Sequence, residues 1–155
     1  MFYGVLKIED IFGGVEGICE ILDGGSFAVP LILGTIAQET HMGTYRDRTE
    51  FNAGSGLCQI DEIGFRDIKE RTKNRYKDKI YLKLGISIDK VTYEMLEYNY
   101  ILSIIFCRLF YKMIPEKIPE DLKGQAHYWK KYYNTWAGKG TPEEYVENYN
   151  NWVKQ

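Results

Sequence analysis

The sequence predicts a mainly α-helical fold: a helical bundle around a central apolar helix, with one small irregular or β segment beside a cleft. Three observations carry this. Apolar residues recur at helical spacing over most of the chain. The stretch from Gly43 to Gln59 has little period and many polar residues. The run from Ile101 to Phe110 is apolar all round, as a buried helix is. A length of 155 residues suits a single domain over 1–155.

The elements follow in order. Ile11, Phe12, Val15, Ile18, Ile21 and Leu22 predict a helix over 10–22, weakened by Gly13, Gly14 and Gly17 and broken by Asp23-Gly24-Gly25-Ser26. A second helix is predicted from Phe27 to Met42, with Pro30 tolerated in its first turn. Asp61 caps a helix running to about Arg75, and the charge run Lys73 to Lys79 reads as a solvated face. Ser87 or Asp89 opens a long helix through Tyr111, predicted as the central one, and Pro115 and Pro119 follow its end. Glu120 to Tyr133 is helical again. Thr141-Pro142-Glu143-Glu144 joins a capping Thr, a Pro at the first position and a capping box, and opens a last helix to about Val153.

Composition excludes several functions. Lys plus Arg total 20 against 22 Asp plus Glu, a net charge of −2, which disfavours a protein that coats nucleic acid or an acidic membrane. The longest nearly uncharged apolar run, Phe27 to Ile36, is shorter than the roughly 20 residues a bilayer span needs, so no stable membrane insertion is expected. Residues 1–10 lack a basic stretch followed by an apolar one, so no Sec-type signal is expected. Cys19, Cys58 and Cys107 are odd in number and far apart, which predicts free thiols in a chain made in a reducing compartment. His41 and His127 are the only histidines and neither has ligand-spaced companions, so no metal is expected. Aromatics reach 15%, enough to build a core or to line a cleft where sugar faces stack.

Ile32, Ile36 and Glu39 fall at i, i+4 and i+7, so Glu39 continues an apolar stripe at the C-terminal end of its helix. Apolar burial and the negative end of a helix both favour a protonated carboxyl, the state a general acid needs. The plainer alternative is a Glu that reaches water. Downstream, Gly54-Ser55-Gly56-Leu57-Cys58-Gln59-Ile60-Asp61 brings turn-forming glycines, an amide that can both donate and accept, and a second carboxylate. Glu50 offers a third. An acid plus a separate carboxylate holding water is the equipment of an inverting glycosidase. Asp61 also suits the N-cap role alone.

Glu39-Thr40-His41-Met42-Gly43 resembles the Glu-Ser-His-Ala-Gly signature of goose-type lysozymes, and Gly56-Leu57-Cys58-Gln59-Ile60-Asp61 resembles their Gly-Leu-Met-Gln-Val-Asp segment. Lytic transglycosylases share parts of both. Tyr133-Asn134-Thr135-Trp136-Ala137-Gly138 resembles the family's Tyr-Asn-Ala-Gly segment with two residues inserted, and the stretch from Tyr128 to Thr141 resembles the C-terminal part of phage cell-wall hydrolases. The resemblance covers residues 32–64 and 126–145. It departs at Thr40 for Ser, at Cys58 for Met, and at Glu50 for an Asp.

The resemblance implies an α+β lysozyme-like fold and cleavage of the β-1,4 bond between N-acetylmuramic acid and N-acetylglucosamine in peptidoglycan. Glu39 takes the role of general acid, Asp61 that of water-positioning carboxylate, with Glu50 assisting. Thr40, His41, Gly56, Gln59, Tyr133 and Asn134 line the substrate. Trp129 and Tyr132 are assigned to the core, Tyr133 and Trp136 to the cleft. The partner is the glycan strand, the protein is a monomer, and no cofactor is needed. The expected setting is a phage endolysin stored in the host cytoplasm and released through a holin to the periplasmic wall. A lytic transglycosylase giving 1,6-anhydro products, a non-catalytic glycan-binding module and a Cys58–His nucleophile are the competing readings.

Overall fold

The computed structural model describes residues 1–25, 27–46 and 54–154. They form α1 (Ile8–Ile21), α2 (Ala28–Thr40), α3 (Glu62–Arg71), α4 (Asn74–Leu84), a 3-10 turn (Ile88–Lys90), α5 (Met95–Tyr98), α6 (Tyr100–Lys112), α7 (Leu122–Trp129), a π-helical turn (Lys130–Asn134) and α8 (Pro142–Trp152). The protein is mainly helical, as predicted. The described residues contain no strand; one antiparallel bridge, Ser55 to Ile60, closes a turn at 54–60.

Two helices, not one, make the centre. α2 and α6 touch each other, α2 also packs on α1, α7 and α8, and α6 on α1, α3 and α5. Leu31, Ile32 and Ile36 of α2 and Ile104, Ile105 and Phe106 of α6 are fully buried. Each such side chain contributes about 1.5–3 kcal/mol by leaving water. α8 reaches α2 closely because Gly34 leaves room for a phenol. A Cβ there would lie within van der Waals overlap of the Tyr145 ring, whose hydroxyl donates to Leu31 O at 3.0 Å.

The long helix predicted from 87 or 89 to 111 is broken. Asn99 adopts extended backbone (φ −131°, ψ 100°) and its side chain accepts from Leu102 N at 3.1 Å, so α6 starts afresh at Tyr100. An Asn that can cap competes with continuing a helix. The helix predicted over 61–75 likewise stops at Arg71, where the Thr72 hydroxyl folds back on Ile68 O. The charge run 73–79 is not only a solvated face. It opens α4, which buries Tyr76 and Ile80 and ends on Gly85 in the left-handed conformation (φ 69°). At the C-terminus both halves of the capping box form between Thr141 and Glu144, at 3.2 and 2.8 Å.

Candidate functional site

Glu39 lies half-buried in the last turn of α2, below the fully buried Ile32 and Ile36. Trp129 Nε1 donates to Glu39 Oε1 at 3.1 Å. Trp129 is itself fully buried, so its indole N–H needs an acceptor, and Glu39 supplies it. The Glu39 charge also reaches Tyr133. That phenol is pushed well above its usual range, first by burial and then by Cys107, Cys58 and Glu39. Glu39, Trp129 and Tyr133 therefore share one corner of the molecule.

The chain turns sharply after Glu39. His41, Met42 and Gly43 have φ of 47°, 54° and 76°, three successive left-handed residues. Two of them carry a Cβ, at a cost of roughly 1–2 kcal/mol each. The surroundings hold them there. Met42 is fully buried, and the His41 ring stacks on Trp152 of α8 at 5.7 Å between centroids, 9° from parallel, with Tyr45 at 5.5 Å.

The 54–60 turn lies against this end of α2. Thr40 Oγ1 donates to Leu57 O at 2.8 Å, within reach of Ile36 O at 3.2 Å, and accepts from Gly43 N at 3.3 Å. Tyr133 Oη donates to Cys58 O at 2.6 Å, and Cys58 N donates to Ser103 Oγ at 2.9 Å. Gly56 has φ 79°, and a Cβ there would sit 2.4 Å from Leu96 O, so no other residue fits without a shift. Its N–H donates to Glu97 Oε2 at 3.1 Å, and Glu97 also pairs with Arg46 at 3.3 Å.

Set against these positions, the residues proposed from sequence divide. Glu39 and Tyr133 are brought together, and Tyr133 in turn bonds the turn that carries Gln59. Gln59, with φ 50°, donates its amide nitrogen to Gly56 O at 2.8 Å and to Tyr3 Oη at 3.3 Å. Thr40 and Gly56 are both buried: the Thr40 hydroxyl bonds Leu57 O in the turn, and the Gly56 N–H bonds Glu97. Asn134 accepts from Lys130 Nζ at 2.6 Å within the π-helical turn, so it shapes the 134–138 loop. Trp136 on that loop is 93% exposed. Asp61 is exposed and caps α3, accepting from Gly64 N at 2.6 Å. Glu50 lies outside the described residues.

Two partners escaped the sequence. Trp129 was assigned only to the core, although a buried indole N–H is itself a signal that an acceptor is near. Trp152 sits 111 residues from His41, and nothing local links them. Cys58 and Cys107 are fully buried, and burial together with Cys58 pushes the Cys107 thiol well above its usual range. Neither thiol is therefore poised as a nucleophile. Among the described residues no group of three His, Cys, Asp or Glu could hold a metal, and no helix is long and apolar enough to cross a membrane. Compared with protein-family models, with curated proteins and with solved structures, the chain matches none.

Proposed function

We propose that the protein is a peptidoglycan-cleaving enzyme acting on the β-1,4 bond between N-acetylmuramic acid and N-acetylglucosamine, with Glu39 as its proton donor. The observation that carries the reading is the Glu39–Trp129 pair. A carboxyl at the C-terminal end of a helix, half out of water, has one oxygen fixed by a buried indole, an arrangement suited to orienting a proton donor. In the proposed mechanism Glu39 protonates the glycosidic oxygen as the bond breaks. The Gln59 carbonyl oxygen and the His41–Trp152 stack offer an acceptor and a ring face to a sugar. Asp61, bonded at one oxygen by Gly64 N, holds a water through the other if hydrolysis follows.

One observation favours the transglycosylase variant. Among the described residues Asp61 is committed as a cap, and a single acid suffices when the sugar's own 6-hydroxyl replaces water. The endolysin setting and the monomeric state belong to the same proposal.

The test is a peptidoglycan zymogram of the wild type and Glu39→Gln, with mass spectrometry of the released muropeptides. The wild type is expected to clear the gel. Glu39→Gln is expected to fold and to lose about 100- to 10,000-fold in rate. Products lighter by one water mark transglycosylation. A Glu39→Gln protein clearing at wild-type rate removes the assignment.

A further inference from the structure

The loop that follows the π-helical turn and leads to α8 holds an indole in solvent. Trp136 is 93% exposed, more than any other large apolar side chain among the described residues. A lone exposed apolar residue is ordinary. This one stands on a loop fixed in an unfavourable backbone shape and rooted at the Glu39–Trp129 pair. We propose that Trp136 is a stacking platform for the glycan strand, taking the apolar face of a sugar unit a short way along the strand from the bond that breaks. This role rests on the reading of Glu39 as proton donor to a glycan, and adds to it the residue that grips the strand.

The shape of the loop is costly and fixed. Thr135, the residue before Trp136, has φ 64° and ψ 172°, a backbone region that residues with a side chain rarely enter. Lys130 holds it there. Its ammonium group donates to Asn134 Oδ1 at 2.6 Å and to Gly138 O at 2.8 Å, joining the two ends of the loop. Gly138 N donates back to Thr135 O at 3.3 Å, and a Cβ on Gly138 would overlap the Asn134 side chain. A ring carried on a loop already ordered loses little freedom when a ligand stacks on it, so more of the contact appears as affinity. Thr135 and Trp136 are also the two residues that this chain inserts into the Tyr-Asn-Ala-Gly pattern.

Both roots of the loop lie at the candidate site. It leaves from Tyr133, whose hydroxyl donates to Cys58 O at 2.6 Å in the 54–60 turn. It returns at Gly140, where a Cβ would stand 2.7 Å from the Trp129 ring and 3.3 Å from the Gln38 amide nitrogen. Trp129 is the residue that fixes the Glu39 carboxyl, and Gln38 directly precedes Glu39. Trp136 follows Tyr133 by three residues and precedes Gly140 by four. Its backbone therefore lies within about 11 Å of the first root and about 14 Å of the second. A polymer held at Glu39 has the indole within reach of its neighbouring units. The occupant follows from the ring. A pyranose presents a face of C–H bonds, and the negative face of an indole attracts such hydrogens while covering apolar area.

The experiment is calorimetric titration with chitohexaose, a β-1,4 oligomer of N-acetylglucosamine, joined to acrylamide quenching of tryptophan fluorescence. Trp129 is fully buried and Trp152 half-buried, so the exposed Trp136 dominates the quenching. The wild type is expected to bind chitohexaose and to be less quenched when bound. Trp136→Ala removes a side chain that stands in solvent, so it should fold with a Tm within about 2 °C of wild type. It is expected to bind about tenfold more weakly and to lose the protection from acrylamide. Trp136→Tyr keeps a ring face and is expected to bind within about threefold of wild type. A wild type that does not bind chitohexaose overturns the proposal. So does a Trp136→Ala protein that binds as well as wild type, or a Trp136→Tyr protein as weak as Trp136→Ala. None of these readouts depends on cleavage. A protein that grips chitohexaose through Trp136 yet leaves peptidoglycan intact would keep the platform and lose the Glu39 assignment, so the two readings fail separately.

Discussion

Replacing Thr40 by Val separates a tether from a substrate contact. The change is nearly isosteric, so packing in the fully buried site is kept and only the hydroxyl is lost. A hydroxyl has one proton, and the shorter contact, 2.8 Å to Leu57 O, takes it in preference to Ile36 O at 3.2 Å. The variant forfeits that bond, worth about 0.5–1.5 kcal/mol net, and leaves the Leu57 carbonyl unsatisfied in a buried place, about 1–3 kcal/mol more. The accepted bond from Gly43 N is long at 3.3 Å and adds little. The expected loss is therefore about 2–4 kcal/mol. At roughly 2–4 °C per kcal/mol for a chain of this size, Tm should fall by about 5–15 °C. Calorimetry and urea titration measure it, with Thr40→Ser as the control that keeps the hydroxyl. Below the melting range, binding of a chitooligosaccharide should match wild type. A loss under about 0.5 kcal/mol, or weakened sugar binding without loss of stability, would refute the tether and restore Thr40 to the substrate.

Asp61→Asn tests the cap against water activation. Asn and Asp cap comparably, so Tm should change by less than about 2 °C, and any large loss of hydrolytic rate in that variant then reports a role for the carboxylate in positioning water. Alkaline stability follows from the tyrosines. Burial pushes Tyr93 and Tyr128 up to about 12, and Tyr111 and Tyr145 well above their ordinary value. Unfolded tyrosines lose their protons near pH 10 while the folded ones keep them, so stability is intact below about pH 10 and falls as pH rises towards 12. Urea midpoints read between pH 8 and pH 12 check this, and a flat profile contradicts it. All three cysteines are free and buried, with Cys19 pushed up to about 11 by burial. A thiol-titrating disulfide reagent at pH 8 should find none reactive in the native protein and three in denaturant.

The sequence by itself determined the helical class, most helix starts and the Glu39 stripe, because these depend on spacing and caps within a few residues. Thr141 to Glu144 is such a local signal, and its capping box forms as read. It failed where one local preference beat another: Asn99 as a cap interrupts a run whose apolar content alone predicted one helix through to Tyr111. The motif residues of the 39–43 and 56–61 blocks could not be sorted by chemistry from sequence, since a Thr, a Gly and a Gln serve a backbone as readily as a sugar. Only the tertiary structure shows what each one bonds. It places Leu57 O and Gly43 N around the Thr40 hydroxyl, Leu96 O where a side chain at position 56 would stand, and Gly64 N on the Asp61 carboxylate. It also brings Trp129 to Glu39 across 90 residues of chain and lays Trp152 on His41. Such contacts arise from how α2, α7 and α8 pack, and packing is fixed by the whole set of buried side chains at once, so no local pattern in the sequence encodes them.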